Sequence, residues 1–312
     1  MEMRVAAIDQ GTNTTRLLVA DAEDGELEEV AKRVEITRLG EGVDSRRKLL
    51  PLPITRVRNV LTDYRREAER LGAERVLLVA TSAVRDAENG EAFLGEIEWS
   101  YGFVTRLLSG EEEAVLTFRG AADGRIGSTL VIDPGGGSTE FVVGEGGEIQ
   151  SRTSVDVGST RLTERFIHSD PPAPEELRAA ADYVRSLLPP APEVDHVVGV
   201  AGTITTLAAL DLRLDEPDGL GTDGHMLTLE AVRAQRERLA LLPLAERERL
   251  PGLHPKRAPV IVAGAILVEQ VVEHFGALEV SERDILHGAA LEAADLPAPA
   301  EGAAPPGAYT CC

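Results

Sequence analysis

The sequence is short of several things, and each shortage removes a class of function. Only two cysteines occur among 312 residues, Cys311 and Cys312, the last two positions. They cannot build a disulfide framework or a Cys-based zinc site. The six histidines are scattered and show no metal-ligand spacing. Basic residues are outnumbered, 32 Lys and Arg against 53 Asp and Glu, giving a formal charge of −21. A chain so acidic repels nucleic acid and anionic membrane, and no basic run or Lys/Arg stripe of the kind that marks a nucleic-acid binder is found. No nucleic-acid or membrane partner is therefore expected. The most apolar helix candidate, Ala258 to Val268, lies between Arg257 and Glu269 and falls short of the ~20 residues that a membrane span needs. The first residues, MEMRVAAIDQGT, lack the apolar core and cleavage pattern of a signal peptide, so a cytoplasmic location is expected. No Gly-Lys pair exists, which excludes a Walker A loop, and no Gly-x-Gly-x-x-Gly follows the first strand, which argues against a dinucleotide enzyme.

What the chain does have is enough apolar residue, 43%, to bury a sizeable core, and enough length for about two domains. Val5 to Ile8, Thr15 to Ala20 and Leu27 to Ile36 read as strands joined by turns. Leu52 to Leu71 has helical spacing, Arg75 to Ala80 is a buried strand, Phe103 to Leu108 another, and Gly110 to Ala122 a helix. The pattern then restarts. Thr129 to Asp133, Thr139 to Gly144 and Ile149 to Val157 read as three strands. Helices follow at Glu175 to Leu188, Thr203 to Leu212, Leu229 to Leu242 and Pro259 to Phe275, with strands at His196 to Val200 and near Leu278. Sliding the chain so that Asp9 falls on Asp133 brings Gly11 onto Gly135, Thr14 onto Ser138, and Leu17-Leu18-Val19 onto Phe141-Val142-Val143. This repeat predicts two similar α/β domains, each offering a glycine-containing hairpin turn, with a ligand in the cleft between them. The expected domains are 1–127 and 128–296, the last helix packing back on the first domain. Residues 297–312, rich in Pro, Ala and Gly, are expected to be disordered.

The motifs carry the chemistry. In "VIDPGGGSTEFVVG", Gly135, Gly136, Gly137 and Ser138 form a turn whose N–H groups can approach an anion with no Cβ in the way. Gly11, Thr12, Asn13 and Thr14 can do the same. Asp133 and Glu140 flank the second turn and can hold Mg²⁺, which accepts a few carboxylates together with phosphate oxygens. A single such turn is equally a plain hairpin; two at matched spacing, each led by Asp, are a stronger signal. In "VGVAGTITTLAAL", Gly202-Thr203 lie between strand and helix. They read as a helix N-terminus facing an anion, or as an ordinary connection with Thr203 as N-cap. In "SGEEEAVL", Ser109 and Glu112 fit a capping box, leaving Glu111 and Glu113 as solvated acids or one of them as a general base. Arg85, just after a buried strand, is a surface residue or a bidentate phosphate ligand. Arg16 is a further candidate, or else a cross-strand partner within its hairpin.

The segments "AAIDQGTNTTRLLVAD", "ATSAVRDAENG", "LLSGEEEAVL", "LVIDPGGGSTEFVVG", "GVAGTITTLAAL" and "AGAILVEQVV" occur in this order. Together they resemble the exopolyphosphatase / guanosine pentaphosphate phosphohydrolase family, within the sugar kinase, Hsp70 and actin superfamily. The resemblance runs from Val5 to about Asp295. It implies two duplicated ribonuclease H-like (actin-like ATPase) domains facing a central cleft. It also implies a phosphohydrolase releasing terminal phosphate from polyphosphate, with guanosine pentaphosphate as a second substrate. In that reading Glu113 activates the attacking water, and Asp133 and Glu140 organise Mg²⁺. Thr12, Asn13, Thr14, Arg85, Gly135 to Ser138, Gly202 and Thr203 meet phosphate. A homodimer is expected. Gln10 and Thr14-Thr15 depart from the aliphatic and Ser-centred residues usual in the first turn. With no His-Asp pair, the chain resembles the short two-domain form. Two other readings stand beside it: a small-molecule kinase of the same fold, and a non-catalytic sensor of polyphosphate or nucleotide alarmones.

Overall fold

The computed structural model describes residues 3–122, 125–215 and 221–297. The tail expected to be disordered lies, from residue 298 onward, outside the described residues. The chain divides into two compact units, Met1–Leu116 with Ile285–Cys312, and Thr117–Asp284.

The first unit is built on β1 (Met3–Gln10), β2 (Thr14–Glu23) and β3 (Glu26–Ile36), followed by α1 (Val43–Arg46), α2 (Pro51–Leu71), β4 (Arg75–Ala80), α3 (Ser82–Arg85), α4 (Gly90–Tyr101) and β5 (Val104–Leu107). Helix α5 (Gly110–Ala121) begins in this unit and continues into the second. The sheet order is β3-β2-β1-β4-β5, the first three strands antiparallel and the last two parallel to β1. Strand β1 is apolar without a break from Val5 to Ile8 because both of its faces are covered there. Ala6 and Ile8 face a core with Val57, Leu61 and Tyr64 of α2. Val5 and Ala7, one residue out of phase, face a second core.

The second unit repeats this plan with β6 (Thr129–Pro134), β7 (Thr139–Glu145) and β8 (Glu148–Val155). Then come α6 (Ser159–Phe166), α7 (Pro174–Leu187), β9 (His196–Gly199), α8 (Ala201–Leu212), β10 (Met226–Leu227), α9 (Leu229–Leu241), α10 (Leu244–Arg247), α11 (Ile261–Phe275) and β11 (Leu278–Val280). Its order is β10-β11-β9-β6-β7-β8. Read from the other edge, β8-β7-β6-β9-β11 repeats the order of the first sheet, with β10 added antiparallel at the edge. Helix α11 explains the most apolar stretch of the sequence: its residues from Ile261 to Val272 are all buried, and it packs against α9, α6 and α7. No helix among the described residues is long and apolar enough to cross a membrane.

The last helix, α12 (Ile285–Asp295), returns to the first unit. Leu286, Ala289, Ala290 and Ala293 close the second core over Val5 and Ala7. At Gly288 a Cβ would stand 2.0 Å from the Leu116 carbonyl oxygen, so only glycine admits this helix so close to α5. The short elements α1, α3, α10 and β10 are additions to the sequence reading. Four residues, or two, give too little periodicity to read.

Candidate active site

Each hairpin turn is turned into a donor cradle by the segment that follows its third strand. In the first unit the N–H groups of Thr37 and Arg38 both donate to the Asn13 carbonyl, at 3.0 and 2.9 Å. Gly40 N donates to Thr12 O at 2.8 Å, and Gln10 Nε2 to Gly11 O at 3.1 Å. In the second unit Ser159 N donates to Gly135 O (3.0 Å), Thr160 N and Arg161 N to Gly136 O (2.8 and 3.1 Å), and Arg161 Nε to Gly137 O (2.8 Å). The carbonyl oxygens of both turns are thus consumed. The N–H groups of Thr12, Asn13, Gly136, Gly137 and Ser138 meet no acceptor among the described residues. A backbone segment that shows donors and hides acceptors binds anions. The two clamps also require glycine at matched places. A Cβ on Gly40 would lie 2.2 Å from Thr12 Cγ2, and one on Gly158 would lie 2.4 Å from the Gly136 carbonyl carbon.

The departures at Gln10 and Thr15 form a buried set of their own. Thr15 Oγ1 donates to Gln10 Oε1 at 2.9 Å and lies 2.9 Å from Thr37 Oγ1. Thr12 Oγ1 lies 2.8 Å from Ser82 Oγ, which ties the turn to α3.

The charges beside the two turns differ. Asp9 lies opposite Arg16 in the β1–β2 ladder, and the Arg16 Nε and Nη2 donate to Asp9 Oδ2 at 2.9 and 2.7 Å. Arg16 is thus the cross-strand partner of Asp9. In the second ladder the matching pair is Asp133 and Glu140. Directly opposed residues share a sheet face, so two carboxylates stand side by side, 6% and 1% exposed. Thr117 Oγ1 donates to Asp133 Oδ2 at 3.3 Å and Ser154 Oγ to Glu140 Oε1 at 2.8 Å. Two hard, buried oxygen donors suit Mg²⁺, which keeps several waters and takes the rest of its shell from phosphate. No group of three or more His, Cys, Asp or Glu assembles among the described residues, so a fully protein-built metal cage is not present there.

Glu113 and Glu112 part ways as soon as the helix starts. Glu112 closes the capping box: its Oε2 accepts from Ser109 N (2.9 Å) and Ser109 Oγ (2.8 Å), while its own N–H donates back to Ser109 Oγ at 3.2 Å. These bonds, first of all the backbone one from Ser109, hold the Glu112 carboxyl below its ordinary value. Glu113 is buried, at 7% exposure, and its Oε2 lies 3.4 Å from Arg85 Nη1, which also donates to Leu108 O at 2.7 Å. Arg85 Nε and Nη2 have no partner among the described residues, and the side chain is a quarter exposed. The guanidinium is therefore anchored through one nitrogen, with two others available for an anion. One turn further along α5, Thr117 occupies the i+4 position on the face of Glu113.

The third turn starts its helix earlier than the sequence pattern places it. Helix α8 begins at Ala201 with Val200 as N-cap, so Thr203 is buried inside the first turn rather than capping it. Ala201 has φ +72°, a left-handed conformation. Arg257 donates to Gly202 O and, at 2.5 Å, to Thr206 Oγ1, and a Cβ on Gly202 would meet the guanidinium. Sequence reasoning missed Arg257, which ends a single 3-10 turn, Pro255–Arg257, too short to show a pattern. It also missed α6, although Gly158-Ser159 followed by Leu162 and Phe166 is a readable helix start.

Each unit thus carries a glycine-containing turn that presents backbone donors, the first with a buried glutamate beside an anchored arginine and the second with a buried carboxylate pair. The Ppx/GppA phosphatase family model matches residues 18–294. The chain belongs to the Ppx/GppA phosphatase family. It is 40% identical to exopolyphosphatase 2 of Mycobacterium tuberculosis over 93% of this chain and 98% of that one. It is 30% identical to the guanosine-5'-triphosphate,3'-diphosphate pyrophosphatase of Vibrio vulnificus over 92% of this chain and 57% of the relative. The crystal structure of the Aquifex aeolicus family member superimposes with a TM-score of 0.76 at 32% identity, covering 94% of this chain and 97% of that one.

Proposed function

We propose that the protein is a Mg²⁺-dependent phosphohydrolase that removes the terminal phosphate of linear polyphosphate, with guanosine pentaphosphate as a second substrate. One observation supports this most: α5 carries a buried glutamate held beside Arg85 and, four residues on, the threonine that donates to Asp133. Glu113 takes the proton of the attacking water. Arg85 and the N–H groups of Thr12, Asn13, Gly136, Gly137 and Ser138 bind phosphoryl oxygens and offset the charge that develops on them. Thr14, Gly135, Gly202 and Thr203 shape the turns that present those donors. Asp133 and Glu140 would hold Mg²⁺, which would offset phosphate charge there. Polyphosphate ranks first because the relative at 40% identity is named an exopolyphosphatase, and the pyrophosphatase of the guanosine nucleotide is more distant. The same reading makes the protein a cytoplasmic homodimer, which sedimentation velocity and fractionation check. The deciding experiment is phosphate release from polyphosphate, guanosine pentaphosphate and ATP side by side, with and without Mg²⁺. Release from polyphosphate that requires Mg²⁺ is expected. Binding without release would favour a sensor, and ADP formed only with an acceptor would favour a kinase.

A further inference from the structure

The acidic composition hides one short basic run, Arg46-Arg47-Lys48, between β3 and α2. All three residues are exposed. Ion pairs cover much of this surface, Arg4–Asp21, Arg33–Glu67, Arg56–Glu41 and Arg58–Glu96 among them. Arg46 and Arg47 are different: their side chains make no hydrogen bond or ion pair with a described residue. Lys48 makes only a 3.7 Å pair with Glu88, both partners well exposed. In a chain with 53 acids and 32 basic residues, neighbouring unpaired cations are not what composition alone produces.

Backbone conformation fixes where the run stands. Arg47 has φ +55° and ψ +29°. That is a left-handed position, which any residue with a Cβ occupies at a cost and which glycine would fill freely. Arg47 is the C-cap of α1, its N–H closing on Val43 O at 2.9 Å, which fixes the backbone from which the cation projects.

The run is also firmly joined to the first cradle. Gly40, whose N–H closes the Thr12 carbonyl, accepts from Val43 N at 3.0 Å at the start of α1, and the four residues of α1 span only about 6 Å at ~1.5 Å each. On the far side, Arg47 O accepts from Glu88 N at 2.8 Å, and Asn89 bonds both N–H and C=O of Leu49. The cations are therefore held on a fixed segment beside the turn proposed to hold phosphate.

We propose that Arg46, Arg47 and Lys48 form a track for the more distant phosphates of a linear polyphosphate whose end is held at the Gly11–Thr14 turn. This rests on the hydrolase reading and adds a length preference to it. A long polyanion reaches these cations; a short one, filled by the cradle, does not. In a protein of net charge −21 such a local patch also offsets the long-range repulsion of the substrate.

The test compares the parent with Arg46→Gln/Arg47→Gln/Lys48→Gln on tripolyphosphate and on long-chain polyphosphate, by initial rates and by equilibrium binding without turnover. For the long chain KM and Kd are expected to rise roughly tenfold in the triple variant, three exposed contacts each being worth a fraction of a decade or more. Its kcat, and all constants for tripolyphosphate, stay within about twofold, the spread expected of surface changes away from the site. The slope of log Kd against log salt for the long chain falls by about two units, three counterions' worth for a single-stranded polyanion. Arg47→Gly separates charge from strain: the melting temperature is expected to rise while long-chain binding weakens. A triple variant that binds the long chain as the parent does overturns the track, whatever the parent hydrolyses. So does one that loses both lengths equally. Equal affinity of the parent for single-stranded DNA of matched charge overturns polyphosphate as the occupant. A parent that binds the long chain through the triplet yet releases no phosphate keeps the track and overturns the hydrolase reading.

Discussion

At the Gly11–Thr14 turn, Asp9 faces Arg16 across the ladder, whereas at the Gly135–Ser138 turn Asp133 faces Glu140. The backbones around the two turns are alike. In both, N–H groups from the segment after the third strand take up the turn carbonyls, and the turn is left with donors only. The backbone arrangement is thus the same at both turns, and one residue of the adjoining pair differs. Arginine opposite the aspartate closes an ion pair through Asp9 Oδ2. Glutamate opposite the aspartate instead places two buried carboxylates on one sheet face, the donor type that a hard divalent cation takes. From this difference we infer that both turns offer donors to phosphate, while a cation is taken up only where glutamate stands opposite the aspartate.

The largest expected effect separates the base from the metal side of this comparison. Glu113→Gln should lower turnover on the order of 10²–10⁴, the usual loss with a general base. Substrate affinity and the Mg²⁺ midpoint are expected to stay. Glu112→Gln should retain most activity, since Gln also serves at the third position of a capping box. Single-turnover hydrolysis with parallel binding measurements reads both variants, and a near-parent rate for Glu113→Gln would remove the glutamate from its role.

Next come the two clamps. Gly158→Ala places a methyl against the Gly136 and Gly137 backbone, which cannot step aside, and should cost about 1–3 kcal/mol as an overpacked site. Gly40→Ala meets Thr12 Cγ2 and, at 3.3 Å, Ala83 Cβ, side chains that give more easily, and should cost less. Urea melts of both variants rank them. The reverse order would mean that the two turns are not held by the same device.

The smallest effect concerns the helix that carries Glu113. Ser109→Ala removes the cap and should cost about 1 kcal/mol near pH 7. The folded-state value of Glu112 lies below the unfolded one, so its contribution is present above the ordinary carboxylate range and is lost as pH falls through the folded value. The gap between parent and variant should therefore narrow below about pH 4. A gap that is constant with pH would mean that the serine acts without the carboxylate.

Much of this was legible in the sequence, and the reasons differ by element. The two turns were readable because glycine, aspartate and serine recur at matched offsets between apolar runs. The separation of Glu112 from Glu113 was readable because a capping box has a fixed spacing. The pairing of Arg16 with Asp9 stayed open, since register across a hairpin depends on the turn and not on composition. The clamps were not legible. They are made by backbone N–H groups of Thr37 to Gly40 and Ser159 to Arg161, which every residue but proline has and which leave no mark in the pattern of side chains. The start of α8 was misplaced by two residues because the left-handed Ala201 carries no glycine to announce it.

The central claim, that cation chemistry belongs to the second turn alone, is tested most directly by titrating Mg²⁺ against the rate of polyphosphate hydrolysis in Asp133→Asn and Asp9→Asn. Both changes are nearly isosteric. Asp133→Asn should raise the Mg²⁺ midpoint by at least about tenfold, the usual minimum loss when a ligand shell is weakened. Asp9→Asn, which loosens the ion pair with Arg16, should lower stability and leave that midpoint where the parent has it. A midpoint that moves equally in both variants, or more in Asp9→Asn, would contradict the account.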